Sequence, residues 1–310
     1  MYNSRPLIFI AHPLLGFVLD PLSEHYEALP LWVEENKQRL AEARVLVVAG
    51  EFRIEPALID AMPQLGLIAC FSVGYDGIDV PAMRARGIAV THAMDANSED
   101  AADHAIGLIL AHRREIVVGD AKVRSGGWSN GSKALTRSLA DTSLGIVGMG
   151  SIGQAIARRA DALRLHTCWW GPTEKPDLPW PRADSLATLA RDSDILVIAA
   201  RAHAGNEKMI SAEIIDQLGR DGLLVNIARG QLIDEDALIA RLQDGRLGGA
   251  ALDVFMQEPT PPARWQNVPN TILTPHTAGA TDAAIATMMT MLRANLDAFF
   301  GGGRLPTPVT

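Results

Sequence analysis

The chain has 310 residues, enough for two domains at roughly 100–200 residues each. Its composition, 48% hydrophobic and 21% charged, is that of a globular protein, and its net charge of −8 argues against nucleic acid as the main partner. No apolar run approaches the roughly 18 residues that span a bilayer, so no membrane span is expected.

Predicted elements run as alternating strands and helices. Short apolar runs at 7–11, 45–49, 67–71 and 88–91 predict strands. Pro13 soon interrupts the first run, which is too short for a signal-peptide core. Amphipathic stretches at 31–43 and 80–86 predict helices, the second stopped by Gly87. A long helix is expected over 98–125, with Ala102, Ile106, Ile109 and Leu110 at helical spacing. A loop over 126–138 follows, containing Gly126, Gly127, Trp128 and Gly131. The pattern resumes with a strand at 144–147, a helix at 152–163, a strand at 167–170 and a Pro-rich stretch at 171–181. Strands at 195–199, 223–227, 250–254 and 272–274 come next, with helices between them. An Ala/Met-rich helix at 281–300 closes the chain before three glycines. Such alternation predicts an α/β protein with two Rossmann-like, doubly wound parallel-sheet domains flanking a cleft, with ligands beyond the carboxyl ends of the strands. Cys70 and Cys168 lie in apolar, strand-like runs and read as buried thiols in a reducing, cytoplasmic compartment.

Gly148-Met149-Gly150-Ser151-Ile152-Gly153 is a GxGxxG that follows a predicted strand and opens a predicted helix. In that context the first glycine serves a tight turn and the second lets the backbone approach a pyrophosphate. The third allows close helix–strand packing, and the helix N-terminus offers free N–H groups. An acid at the end of the next strand would bind the ribose hydroxyls of NAD, but Gly171 stands there. Glu174 comes three residues later, after a Pro-directed turn. With Thr173, Lys175 and either Arg182 or Arg201 nearby, the missing acid favours NADP, with NAD still possible.

Three further segments place polar residues just after predicted strands: Asn226 to Gly230, Asp253 to Pro259 and Thr274 to Gly279. Arg229 offers a planar fork for a carboxylate and a keto oxygen. His276 is suited to protonate a carbonyl oxygen, and Glu258, on its other ring nitrogen, would set the tautomer and raise its pKa. Taken singly, Arg229 reads equally as a surface ion-pair residue, Glu258 as a solvated acid and His276 as a helix-cap neighbour. Their joint pattern points to ketone reduction.

These segments, with Ser72-Val73-Gly74-Tyr75-Asp76-Gly77-Ile78-Asp79, resemble the D-isomer-specific 2-hydroxyacid dehydrogenase family, in its glyoxylate/hydroxypyruvate reductase-like branch. The resemblance implies Arg229, Glu258 and His276 as catalytic residues, with the N–H groups of Val73 and Gly74 and the side chain of Arg229 on the substrate. It also implies that Asp253 meets the nicotinamide amide and that Ser98 stands where a Thr near the nicotinamide is usual. Ser98, Gly148, Met149, Gly150, Ser151, Ile152, Gly171, Thr173, Lys175, Arg201, Ala228 and Asp253 make up the expected cofactor site, with no metal. The implied substrate domain is discontinuous: residues 1–98, a dinucleotide-binding domain at 99–284, and a returning helix at 285–310. A homodimer through the cofactor domain is implied as well.

His12 reads as a strand cap, His104 and His112 as packing or interface residues, and Met288, Met289 and Met291 as core. Trp128 is balanced between substrate selection and interface packing. The function these features predict is NADPH-preferring reduction of small 2-keto acids, glyoxylate and hydroxypyruvate above all, to D-2-hydroxy acids. The alternative is reduction of aromatic keto acids such as hydroxyphenylpyruvate. Formate or phosphite oxidation is poorly supported, and a nucleotide-sensing corepressor is disfavoured by the complete Arg–Glu–His set.

Overall fold

In the computed structural model, which describes residues 5–129 and 135–309, the chain divides into two units. One comprises Met1–Ala96 and Asp282–Thr310, the other Asn97–Thr281. The breaks fall at 96/97 and 281/282, where the sequence suggested 98/99 and 284/285. The second break sits at 282 because the closing helix Asp282–Phe300 belongs whole to the first unit.

The first unit holds a parallel sheet of β1 (Leu7–Ile10), β2 (Glu27–Pro30), β3 (Val45–Val48), β4 (Leu67–Cys70) and β5 (Ala89–Thr91), in the order β2-β1-β3-β4-β5. β1, β3 and β4 are buried along their whole length, which is why they read as unbroken apolar runs. β2 escapes sequence reading because it is a half-exposed edge strand that starts with Glu27 and ends with Pro30. The stretch 31–43 forms 3₁₀ turns over Glu34–Glu42 instead of the expected α-helix. No residue of Glu34–Glu42 is fully buried and only Leu40 of it leans on the core, so there is no apolar stripe to pack a helix, and Arg39 pairs with Glu42 at 2.7 Å and also with Glu27. The closing helix buries Ala284, Met288, Leu292 and Leu296, one turn apart, into the core formed by β1, β3 and β4. Each large side chain of that stripe contributes roughly 1.5–3 kcal/mol by leaving water. Cys70 ends β4, and burial pushes its thiol up to about 11.

The second unit opens with two helices where the sequence predicted one. Ser98–Arg113 and Ile116–Arg124 are separated at Glu115, whose φ of +51 is left-handed and caps the first helix. The β-branched run Ile116-Val117-Val118 that follows is a poor helix continuation, and none of the second helix is buried. Its sheet is β6 (Ser143–Val147), β7 (His166–Trp170), β8 (Ile195–Ile198), β9 (Leu223–Asn226), β10 (Gly249–Leu252) and β11 (Thr271–Leu273), all parallel, in the order β11-β10-β9-β8-β6-β7. The strand order reverses beside β6, so the turn after β6 lies at the topological switch point where doubly wound sheets take ligands. Cys168 sits half-buried on β7. No helix among the described residues is long and apolar enough to cross a membrane. Gly131 lies outside the described residues.

Candidate active site

The turn after β6 is built by its glycines. Gly148 has φ +94, and a Cβ there would lie 2.6 Å from the Ala200 Cα, so only glycine brings the turn against the end of β8. Gly153 packs on the same turn, a Cβ there falling 2.1 Å from the Gly148 carbonyl oxygen. Gly150 differs: a Cβ on it would meet nothing within 4 Å. It caps the helix Ser151–Ala162, whose first turn has no side-chain cap, leaving its N–H groups without that partner. The Met149 side chain is buried in the core, while its carbonyl accepts the Lys175 Nζ at 2.8 Å. Ser151 and Ile152 form the exposed and half-exposed first turn.

At the end of β7, Gly171 is buried and its carbonyl accepts Arg182 Nη2 at 2.8 Å and Nε at 3.2 Å. The Arg182 guanidinium lies 5.8 Å from the Trp169 ring centroid and 3.7 Å from the Glu174 carboxylate, which is otherwise turned to solvent. Thr173 is exposed beside them. Arg182 and Lys175 thus stand around the strand end where an acid was sought. Arg201, after β8, is exposed, and its carbonyl accepts Asn206 Nδ2 at 2.8 Å.

Asn226, fully buried at the end of β9, shapes the Arg229 turn. Its Oδ1 accepts the Ala228 N–H at 3.0 Å, and its Nδ2 donates to the Arg229 carbonyl at 2.9 Å. Arg229 Nη1 donates to the Ala228 carbonyl at 2.7 Å. Gly230 brings this turn against the next one, since a Cβ there would sit 1.9 Å from the Phe255 carbonyl carbon. Two carboxylates hold that second loop. Glu258 Oε1 accepts the Phe255 N–H at 2.9 Å, and Glu235 Oε2 accepts the Met256 N–H at 2.9 Å while pairing with Arg264.

His276, beyond β11, has φ +54, a left-handed conformation that costs an L-residue about 1 kcal/mol or more. Its Nδ1 lies 2.6 Å from Glu258 Oε2, so Nδ1–H donates to the carboxylate and Nε2 is left for exchange with a bound molecule. The hydrogen bond and charge of Glu258 raise the His276 pKa above its ordinary value, against burial and Arg229. Burial alone would lift Glu258, but the His276 and Phe255 hydrogen bonds and the Arg229 charge hold it below the usual carboxylate range. The three residues singled out from the sequence are therefore brought into one electrostatic cluster, able to bind an anion and pass a proton.

Asp253 lies beneath the turn that carries His276. It has no exposed surface; its oxygens accept Thr274 Oγ1 at 2.6 Å, Thr277 N–H at 2.9 Å and Ala278 N–H at 2.8 Å. His104 bonds to Thr274 and is not simple packing, whereas His112 is half-buried against Gly249 with its pKa lowered by burial. His12 accepts the Leu14 N–H as a turn cap, and Met288 is core. Asn226, Arg182 and Glu235 went unassigned or only partly read in the sequence. A polar residue ending an apolar strand was the one available signal, and it pointed to Asn226.

In the first unit, the Val73 and Gly74 loop is tied through its carbonyls. His92 Nδ1 lies 2.9 Å from the Val73 oxygen, and Ser72 Oγ donates to the Gly74 oxygen at 3.0 Å. Among the described residues, the N–H groups of Val73 and Gly74 have no acceptor.

The second unit fits a dinucleotide. Open space at Gly150, an uncapped helix start and the buried, unpartnered Ser98 Oγ all supply room or polar groups that the protein itself leaves unused. A substitution separates this role from folding. Gly150→Ala meets no atom and has an ordinary φ of −76, so thermal stability should be unchanged while affinity for a reduced nicotinamide dinucleotide falls at least about tenfold. Calorimetric unfolding and fluorescence titration of the dinucleotide check the two halves.

The model of the D-isomer specific 2-hydroxyacid dehydrogenase family, NAD binding domain, matches residues 106–278. The chain is 38% identical over 302 residues to a glyoxylate/hydroxypyruvate reductase A of Arabidopsis thaliana, covering 96% of each. It is 36% identical over 308 residues to the 2-ketogluconate reductase of Gluconobacter oxydans, covering 99% of each. The crystal structure of an NADPH-dependent glyoxylate/hydroxypyruvate reductase from Sinorhizobium meliloti, in complex with NADP and malonate, matches with a TM-score of 0.91 and 34% identity, covering 99% of this chain and 97% of that one. Identity at this level along nearly the full length settles the lineage: the chain belongs to the D-isomer-specific 2-hydroxyacid dehydrogenase family.

Proposed function

We propose that this protein reduces small 2-keto acids, glyoxylate and hydroxypyruvate first, to D-2-hydroxy acids with NADPH preferred over NADH. The observation that carries the reading is the His276–Glu258 bond of 2.6 Å within reach of the Arg229 charge, in the unit that holds the glycine turn. A bound nicotinamide cofactor supplies the hydride. Arg229 holds the substrate carboxylate and keto oxygen through its fork of donors. The His276 Nε2–H protonates that oxygen as charge develops, and Glu258 keeps the ring charged until it does. The N–H groups of Val73 and Gly74 serve the carboxylate. Ser98, the turn from Gly148 to Ile152 and the Ala228 turn hold the cofactor. Asp253 acts beneath the His276 turn. Lys175 and Arg182 at the end of β7, where Gly171 stands in the place of an acid and Glu174 is turned largely to solvent, support the preference for a 2′-phosphate, with Thr173 and Arg201 as further contacts.

The relatives named above support the substrate class, since their names include glyoxylate/hydroxypyruvate and 2-ketogluconate reductases. The exposed Ile116, Val117, Val118 and Trp128 support homodimerisation through the second unit, checked by a solution mass twice 33.3 kDa. Two free, largely buried thiols fit a cytoplasmic setting.

The deciding experiment follows oxidation of NADPH and of NADH by the purified protein with glyoxylate, hydroxypyruvate and phenylpyruvate in parallel. Turnover confined to the two small acids, faster with NADPH, is the expected result. Preference for phenylpyruvate would transfer the assignment to aromatic keto acids. Tight NADPH binding with no turnover would favour a nucleotide sensor.

A further inference from the structure

The helix Ser98–Arg113 carries a polar side chain that the proposed chemistry leaves unused. His104 directs Nε2 to the turn bearing His276, 3.0 Å from Thr274 Oγ1 and 3.5 Å from Asp253 Oδ1. Thr274 Oγ1 is itself 2.6 Å from that Asp253 oxygen. A hydroxyl has one proton, and a carboxylate only accepts. Thr274 therefore donates to Asp253 and receives from His104, which fixes the His104 proton on Nε2. Asp253 then takes the Thr277 and Ala278 N–H groups, and its backbone carbonyl takes the His276 N–H at 2.8 Å. A chain of hydrogen bonds thus runs from the helix, through the Thr274 hydroxyl and a carboxylate with no exposed surface, to the backbone of His276 and the two residues after it.

We propose that His104 is a positioning residue for His276: through Thr274 and Asp253 it locks the left-handed turn in which Nδ1 stays on Glu258. A residue at φ +54 persists only where its surroundings over-determine it, and this buried network is what over-determines it here. Without the His104 donor, the Thr274 hydroxyl is free to turn away and Asp253 loses part of its anchoring. The turn then loosens, and with it the 2.6 Å bond to Glu258. Among the described residues, the charged groups acting on His276 are Glu258, Arg229 and Asp253, and the one within ion-pair distance of His104 is Asp253. The catalytic consequence rests on His276 being the proton donor; the positioning itself does not.

The test is a ¹H–¹³C NMR titration of the His276 ring in the full-length protein, with steady-state kinetics alongside. The variants are His104→Leu, His104→Gln and Thr274→Val, and His276→Gln identifies the resonance. In His104→Leu and Thr274→Val the His276 pKa should fall by about half a pH unit or more. In both, kcat should drop several-fold while the keto-acid KM stays within about twofold. His104→Gln, whose amide N–H reaches the same hydroxyl, should restore both. An unmoved His276 titration in His104→Leu and Thr274→Val overturns the proposal even if their melting temperatures fall, because that pattern is support of the fold alone. Should His104→Leu fail to fold, Thr274→Val decides, since it cuts the chain without touching the helix. A shifted titration in an enzyme that keeps its turnover without the His276 imidazole would sink the reaction assignment and leave the positioning standing.

Discussion

Replacing His276 by alanine is expected to lower keto-acid turnover by about 10²–10⁴-fold, the range of one general acid, with NADPH affinity unchanged. The imidazole is held by Glu258 rather than by the glycine turn, so its loss leaves the dinucleotide contacts alone. The pH dependence follows from the direction of the shift. His276 titrates above its ordinary value, so it keeps its proton to higher pH than a free imidazole. Reduction should then fall as the pH rises through that elevated pKa. Oxidation of the hydroxy acid needs the neutral ring and should rise over the same interval. Glu258→Gln removes the main cause of the elevation, so the alkaline limb of reduction should move to lower pH. A His276→Ala enzyme with near-normal turnover, or a Glu258→Gln profile that does not move, would contradict this assignment.

Arg229→Lys should be nearly as damaging as Arg229→Ala. A lysine keeps the charge but cannot present two parallel N–H donors to a planar carboxylate. Truncating one partner of a charged hydrogen-bonded pair costs about 2–5 kcal/mol, which corresponds to kcat/KM falling roughly 30-fold to several-thousand-fold. The lysine variant should fall within a few-fold of the alanine variant in that range and show most of its loss in KM. The Arg229 turn is fastened by Asn226, and Gly230 has no space for a Cβ, so the backbone has little freedom to compensate. Steady-state kinetics of both variants with glyoxylate, together with NADPH titration, measures this. Lysine restoring wild-type kcat/KM would mean that charge alone is used.

The strands buried on both faces were legible because each of their residues answers to one requirement, exclusion from water. β1, β3, β4 and β8 are apolar from end to end, β9 is apolar up to Asn226, and all stood out as runs. β2 answers to that requirement only in part and was missed. The glycine turn was legible for another local reason, since φ +94 at Gly148 and the contact at Gly153 exclude a Cβ whatever surrounds them. Arg229, Glu258 and His276 were visible because polar residues placed directly after apolar strands must emerge at the ligand edge of a parallel sheet.

What the sequence determined by itself was therefore the two α/β units, the dinucleotide turn and the identity of three polar residues at strand ends. All of these depend on burial periodicity or backbone sterics within a few residues. Tertiary structure alone decided that Arg182 turns back onto the Gly171 carbonyl. It alone decided that Asp253 lies under the His276 turn with His104 and Thr274 behind it. Those features rest on hydrogen bonds between groups up to 170 positions apart. A donor's choice of acceptor at that separation is set by how the sheet and helices pack, which no local pattern of residues encodes.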